Sequence, residues 1–291
     1  MERERGYMQK HNEFELWLHD DNELSNIHGA NITSRQVLQE WPLSVVESVT
    51  FSDGITRIYK AFHNLPIETE FYKKVQSRHI PRVFYNHSDG ERHWLLLENI
   101  SGQHPDNLDQ NELFDIAHRA RKIICGIGTL EHYHYDLSVD HFSDFVKDTV
   151  GLLRKLRREE KLKEADEETI NRIEKALSHS EVLRTVQGRC ALLHGDLKLN
   201  NILLRPDGEM VIIDWQSVLY GSEDIDVYHL MASQNIDPVP IAGIGPEILR
   251  LALVIKWLAD CADRWIPQWA DFYDGQIVET EKQIRRILGD N

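Results

Sequence analysis

Two short polar clusters framed by apolar residues are the places where this chain could do chemistry. The first is His194-Gly195-Asp196-Leu197-Lys198-Leu199-Asn200-Asn201, entered from Leu192-Leu193 and left through Ile202-Leu203-Leu204. The second is Val211-Ile212-Ile213-Asp214-Trp215. The pattern reads as a loop between two buried strands, then an acidic residue at the end of another strand. Phosphoryl transfer calls for these residue types: a carboxylate to receive a hydroxyl proton, and an Asn and an Asp to hold magnesium against a triphosphate. The order His-x-Asp-x-x-x-x-Asn, with an Asp thirteen positions after Asn201, supplies them. Asp196 is the candidate base, on an open loop just past a strand. Asn201 starts one strand and Asp214 ends its hairpin partner, so a hairpin would bring the two together. Asn200 is one out of register and is expected on the other face.

These residues resemble the aminoglycoside phosphotransferase and choline kinase family, a small-molecule branch of the protein-kinase fold. Its signature is a His-Gly-Asp loop followed by Ile-Asp-Trp or Ile-Asp-Phe. The resemblance runs from about Val45 to Val227 and is sharpest at 192–216. It implies an α+β, bilobal protein-kinase-like fold: a small antiparallel-sheet lobe over 1–98, with 1–42 as an extension, and a larger, mainly helical lobe over 99–291. It implies ATP and Mg²⁺, with Asn201 and Asp214 as metal ligands and Lys198 beside the γ-phosphate. His194 becomes a prop beneath the loop, and Asp226 an anchor for the loop from a following helix. In the small lobe the resemblance gives Lys60 the phosphates and a helix glutamate as its partner, Glu68 before Glu70. These two lie roughly 200° apart on a helix, so only one can face the cleft. The turn Ser52-Asp53-Gly54 would cover the triphosphate, and backbone groups near Glu98 and Ile100 would read adenine.

The elements that must position these residues are legible around them. Leu43 to Thr50 and Ile55 to Phe62 read as a hairpin, Pro66 opens a helix to about Gln76, and Arg82–Asn86 with Arg92–Glu98 form a second hairpin. Ser34 to Trp41 reads as a short helix. Beyond Gly102 helices dominate. Asp109 caps a helix with Leu113, Ala117, Ala120 and Ile124 on one stripe, and Phe142 to Leu156 marks another. The charged stretch 155–168 reads as the exposed end of a helical hairpin, with Glu159 and Lys163 spaced to pair on one helical face. Pro206-Asp207-Gly208 is a turn, and helices from about Pro246 close the chain.

Composition narrows the partners. The chain has 291 residues, 41% apolar and 28% charged, which fits a globular protein of two lobes. A net charge of −15 argues against nucleic acid and is compatible with a cationic acceptor. No stretch approaches the ~20 apolar residues of a membrane helix, and Met1–Arg5 leads into no secretory signal. Cys125, Cys190 and Cys261 are scattered, as expected of free thiols in the cytoplasm. The acceptor class implied is aminoglycoside-, choline- or sugar-like.

Several motifs invite other readings. Glu131 to Asp136 carries two histidines but lacks a partner motif for a metal. Gly243-Ile244-Gly245-Pro246 lacks the third glycine of a dinucleotide fingerprint and reads as a loop into a helix. Trp257, Leu258, Cys261 and Trp265 form a core stripe. Asp260, Asp263, Asp271 and Asp274 read as a solvated face or as a seat for a cationic acceptor. Two rivals stand beside the small-molecule kinase. Asp226 follows Asp214 by only twelve positions, too few for a protein kinase's activation segment. A nucleotide-binding regulatory pseudokinase that no longer transfers phosphate is the other.

Overall fold

The computed structural model describes residues 8–64 and 66–290, apart from the side chains of Ile241 and Ala242. The charged Met1–Arg5 opening lies outside them. The chain divides into two compact units: residues up to Asp106 together with Asn200–Gln216, and Asn107–Leu199 together with Ser217 onward. The first unit therefore takes in a segment that a cut after residue 98 leaves with the second lobe.

The first unit begins with a small hairpin, β1 (Met8–Lys10) and β2 (Trp17–His19), and a helix, α1 (Asp21–His28). Asp20 caps α1 by accepting from the Glu23 amide, and Gly29 ends it at φ 92°. A five-stranded antiparallel sheet follows, from β3 (Ile32–Trp41), β4 (Ser44–Phe51), β5 (Thr56–His63), β6 (Val83–Asp89) and β7 (Arg92–Glu98), in the order β3-β4-β5-β7-β6. The helix α2 (Ile67–Lys74) joins β5 to β6. Leu24, Val49, Phe51, Tyr59, Trp94 and Leu96 form a core on which Trp17, Leu18, Ile27 and Ile32 pack. The opening segment is thus a layer of the sheet's own core as well as an extension.

One expected element is replaced. Residues 34–41 are strand, not helix: β3 pairs with β4 from Ile32↔Phe51 to Trp41↔Ser44. This strand lies at the sheet edge and is exposed at most positions, so it lacks the alternation that marks a half-buried strand. Pairing with β4 overrides its helix-favouring Gln, Arg, Leu and Glu. Residues 202–204 and 210–212 form the expected hairpin, in register from Ile202↔Ile212 to Leu204↔Met210.

The second unit is helical, with α3 (Gln110–Cys125), α4 (Phe142–Arg158), α5 (Glu167–Leu177), α6 (Ser180–Val186), α7 (Ile225–Ser233), α8 (Val239–Ala242), α9 (Ile244–Asp260) and α10 (Ala270–Leu288). Strands Cys190–Leu193 and Leu219–Ser222 pair antiparallel within it. Asp109 and Glu112 close a capping box on α3, as their spacing requires. Because α4 stops at Arg158, Glu159 and Lys163 do not share a helix; Lys163 pairs with Asp271 instead.

Of the four aspartates near the C-terminus, Asp271 is 80% exposed and solvated, whereas Asp260 and Asp274 are buried and Asp263 is largely shielded. Asp260 holds Lys256, Arg264 and the Tyr135 hydroxyl, and Asp263 holds Lys155. Asp274 is buried and accepts the backbone N–H groups of Lys163, Glu164 and Ala165 at 2.5, 2.7 and 2.9 Å. It therefore fastens the α4–α5 connection. Asp274→Ala strands three donors of an ionic acceptor, and we expect it to lower stability by about 3 kcal/mol, read by denaturant unfolding.

Candidate active site

In the first unit a pocket of about 430 Å³ brings together Lys60, Glu68, Glu98, Ile100, Asn201 and Asp214. Its volume is in the range of small-molecule sites. Lys60 projects from β5, where it pairs with Val46 and Leu95, and is 5% exposed. Its Nζ lies 2.6 Å from Asp214 Oδ1 and 2.7 Å from Glu68 Oε2. The helix partner is therefore Glu68; Glu70 pairs with Lys73. Burial alone would depress the Lys60 ammonium, but the carboxylates of Asp214 and Glu68 outweigh it and hold it above its ordinary range. Burial pushes the Glu68 carboxyl up to about 7, opposed by Lys60 and reinforced by Asp214.

Asp214 sits at φ 64°, a left-handed conformation that a non-glycine residue adopts at some cost. Its neighbour holds it there. The Trp215 ring is fully buried, stacks on Phe71 with centroids 4.2 Å apart, and donates its Nε1–H to the Ile212 carbonyl at 2.9 Å. The Ile213 N–H donates to the Asn201 carbonyl at 3.0 Å, so the hairpin does join the two metal-ligand candidates. Their side chains offer the oxygen donors that Mg²⁺ favours, and both line the pocket. Glu98 ends β7, and its carboxylate accepts from Arg205 at 3.0 Å.

Two placements depart from expectation. Ser52 and Gly54 are not in the pocket lining. Their turn follows the Thr50↔Thr56 pair, four residues along the strand from Lys60, or about 13 Å at ~3.3 Å per residue. Asp53 there contacts His28 of α1 at 3.1 Å. The turn at the pocket's end of the sheet is Pro42-Leu43, where Gln39 and Ser44 line the cavity. Reading β3 as helix hid this turn. Asn200 also lines the pocket, because Leu199–Asn201 is a 3-10 turn and strand alternation does not apply to it.

The His-Gly-Asp loop belongs to the second unit and has its own scaffold. Gly195 sits at φ 80°, and a Cβ there would lie 2.1 Å from the Ser217 carbonyl oxygen, so only glycine fits. His194 is fully buried. Asp226 on α7 accepts the N–H groups of His194 at 2.7 Å and Gly195 at 2.9 Å. Burial raises the Asp226 carboxyl above its ordinary value despite these two donors. Asp196 Oδ1 lies 2.6 Å from Lys198 Nζ and 3.1 Å from His229 Nε2. Burial would raise the Asp196 carboxyl, but His229 and Lys198 outweigh it and hold it below the ordinary carboxylate range. His229 escaped the sequence reading. The one available signal is its place three positions after Asp226, on the same side of a helix.

His134 is pushed down to about 4 by burial, and its ring stacks 5.7 Å from Trp265. No group of three or more His, Cys, Asp or Glu is arranged to hold a metal among the described residues.

The sequence profile of the phosphotransferase enzyme family matches residues 55–274, and the chain belongs to that family. Comparison with curated protein sequences finds no match. Among solved structures, the chain is similar to a thermostable mutant of aminoglycoside phosphotransferase APH(4)-Ia in its apo form (TM-score 0.66, 13% identity, covering 92% of this chain and 98% of that one). It is also similar to the streptomycin–ATP–APH(2″)-IIa ternary complex (TM-score 0.57, 16% identity, 90% and 96%). LicA in complex with AMP is a third (TM-score 0.55, 13% identity, 91% and 97%). These likenesses extend the α+β kinase-like fold over nearly the whole chain. No helix among the described residues is long and apolar enough to cross a membrane.

Proposed function

We propose that this protein is an ATP- and Mg²⁺-dependent phosphotransferase that moves the γ-phosphate to a hydroxyl of a small molecule. The observation that carries this reading is the pocket in which Lys60, bridged to Glu68 and Asp214, shares a lining with Asn201. A cation fixed by two carboxylates beside a pair of hard oxygen donors is what a polyphosphate and its counter-ion require. Adenine is read by backbone groups at Glu98 and Ile100, and Lys60 takes the phosphates. Asn201 and Asp214 would hold Mg²⁺, which supplies charge neutralisation to the triphosphate when bound.

Asp196 accepts the proton of the acceptor hydroxyl as the hydroxyl oxygen attacks the γ-phosphorus, the bond to the β,γ-bridging oxygen breaks and ADP leaves. Lys198 balances the Asp196 carboxylate and steadies the phosphoryl group in transit. His194 and Asp226 keep the loop in place. Transfer is then a matter of positioning and electrostatics. The acceptor class fits streptomycin in the similar ternary complex only as far as a hydroxylated, cationic small molecule goes. The net charge of −15 favours such a cation.

The test is a melting comparison with and without Mg·ATP, then ATP consumption across amino sugars, amino alcohols, macrolides and simple sugars. A nucleotide-dependent rise in Tm with turnover on one class is expected. Stabilisation with no turnover on any acceptor would return the protein to the regulatory reading.

A further inference from the structure

Helix α7 meets the His-Gly-Asp loop twice. Asp226 takes the loop's backbone at His194 and Gly195. One turn later on the same helix, His229 reaches the side chain of Asp196, at 3.1 Å from Oδ1. The His229 side chain is 17% exposed and that of Asp196 25%, so the contact is largely shielded from water. Lys198 meets the same oxygen at 2.6 Å, but it is 40% exposed and unbranched. A flexible ammonium neutralises charge well and fixes direction poorly, whereas an imidazole on a helix does the reverse.

We propose that α7 clamps the catalytic loop at two points and that His229 is a positioning residue, setting the orientation and proton affinity of Asp196 through a hydrogen bond from Nε2–H to Oδ1. This rests on Asp196 being the base of the proposed phosphotransfer. The charged and titratable groups facing this contact are Lys198 and the buried His194 on the loop and Asp226 on α7 itself. A base held by one rigid donor presents a fixed lone pair to the acceptor. Removing that donor leaves Oδ1 guided by the flexible Lys198 ammonium, and misplacement on the scale of 1 Å costs up to ~10²-fold in rate. It also removes one of the groups that hold the Asp196 proton affinity down.

The test pairs His229→Leu, with His229→Ala beside it so that a folded donor-free variant is in hand, against His229→Gln, which keeps an N–H donor. Two readouts are taken: turnover with Mg·ATP, and the carboxyl titration of Asp196 followed by ¹³C NMR in the absence of substrate. The donor-free variant should lose ~10–100-fold in kcat with an unchanged KM for nucleotide. Its Asp196 titration should move upward by about one pH unit, the equivalent of one charge-assisted hydrogen bond. His229→Gln should recover most of both. An Asp196 titration unmoved in the donor-free variant, or a Gln variant as impaired as Leu, overturns the clamp. The titration needs no turnover, so it judges the clamp even if the phosphotransfer reading fails.

Discussion

Asp196→Asn should reduce turnover by about 10²–10⁴-fold, the usual contribution of a general base, while the nucleotide-induced rise in Tm stays near that of the parent. The pocket that would take the nucleotide is lined by Lys60, Asn201, Asp214 and their neighbours, and Asp196 is not among them. Binding and chemistry should therefore separate cleanly in this variant. Because His229 and Lys198 hold the Asp196 carboxyl below its ordinary value, it is ionised well into the acid range. A depressed carboxylate contributes stability that is present above its unfolded-state value and lost as pH falls through its folded-state value. The Asn variant should accordingly be slightly less stable at neutral pH, with the gap closing on acidification. The measurements are steady-state turnover and melting with and without Mg·ATP. Full activity of Asp196→Asn or Asp196→Ala would falsify its assignment as base.

Lys60→Met should be the more disruptive change, because it damages stability and function together. Its side chain is 6% exposed and that of Glu68 is 1% exposed, so removing the cation leaves a carboxylate with little access to water. Breaking a buried pair in this way costs about 3–5 kcal/mol. The cost should depend on pH in a definite sense. Glu68 already titrates near 7 with Lys60 present, and loss of the ammonium pushes it higher. A carboxyl raised in the folded state binds its proton more tightly there than in the unfolded chain. Stability therefore falls as pH rises from the unfolded-state value towards the folded one. The deficit of Lys60→Met should be small near pH 5 and large near pH 8. Adding Glu68→Gln should restore most of the stability without restoring turnover, since nothing then meets the phosphates. A double variant that regains activity would remove Lys60 from the site.

How much of this was legible in the sequence depends on the range of each signal. The β4–β5 hairpin, the Pro66 start of α2, the capping box of Asp109 and Glu112, and the 202–212 hairpin all carry their cause within a few residues. They could be read locally. The strand β3 could not, because its conformation comes from a neighbour: an exposed edge strand has no buried face to write into its sequence. That single omission also hid the Pro42-Leu43 turn beside the pocket. The choice between Glu68 and Glu70 needed the position of Lys60 across the sheet. His229 was invisible because its partner lies thirty-three positions earlier, on a loop.

The first unit is also not a continuous stretch of chain, and this bears on how the protein comes into being. Residues 200–216 supply its hairpin with Asn201 and Asp214, yet 107–199 are made first. As the polypeptide leaves the ribosome, the early sheet must wait, with one wall of its pocket missing, until residue 216 has emerged. Tying the late hairpin back across a gap of that length costs roughly 4 kcal/mol of chain entropy. An N-terminal fragment ending near residue 106 should therefore be a poor binder of nucleotide, and synthesis arrested before residue 216 should leave a nascent chain vulnerable to proteases.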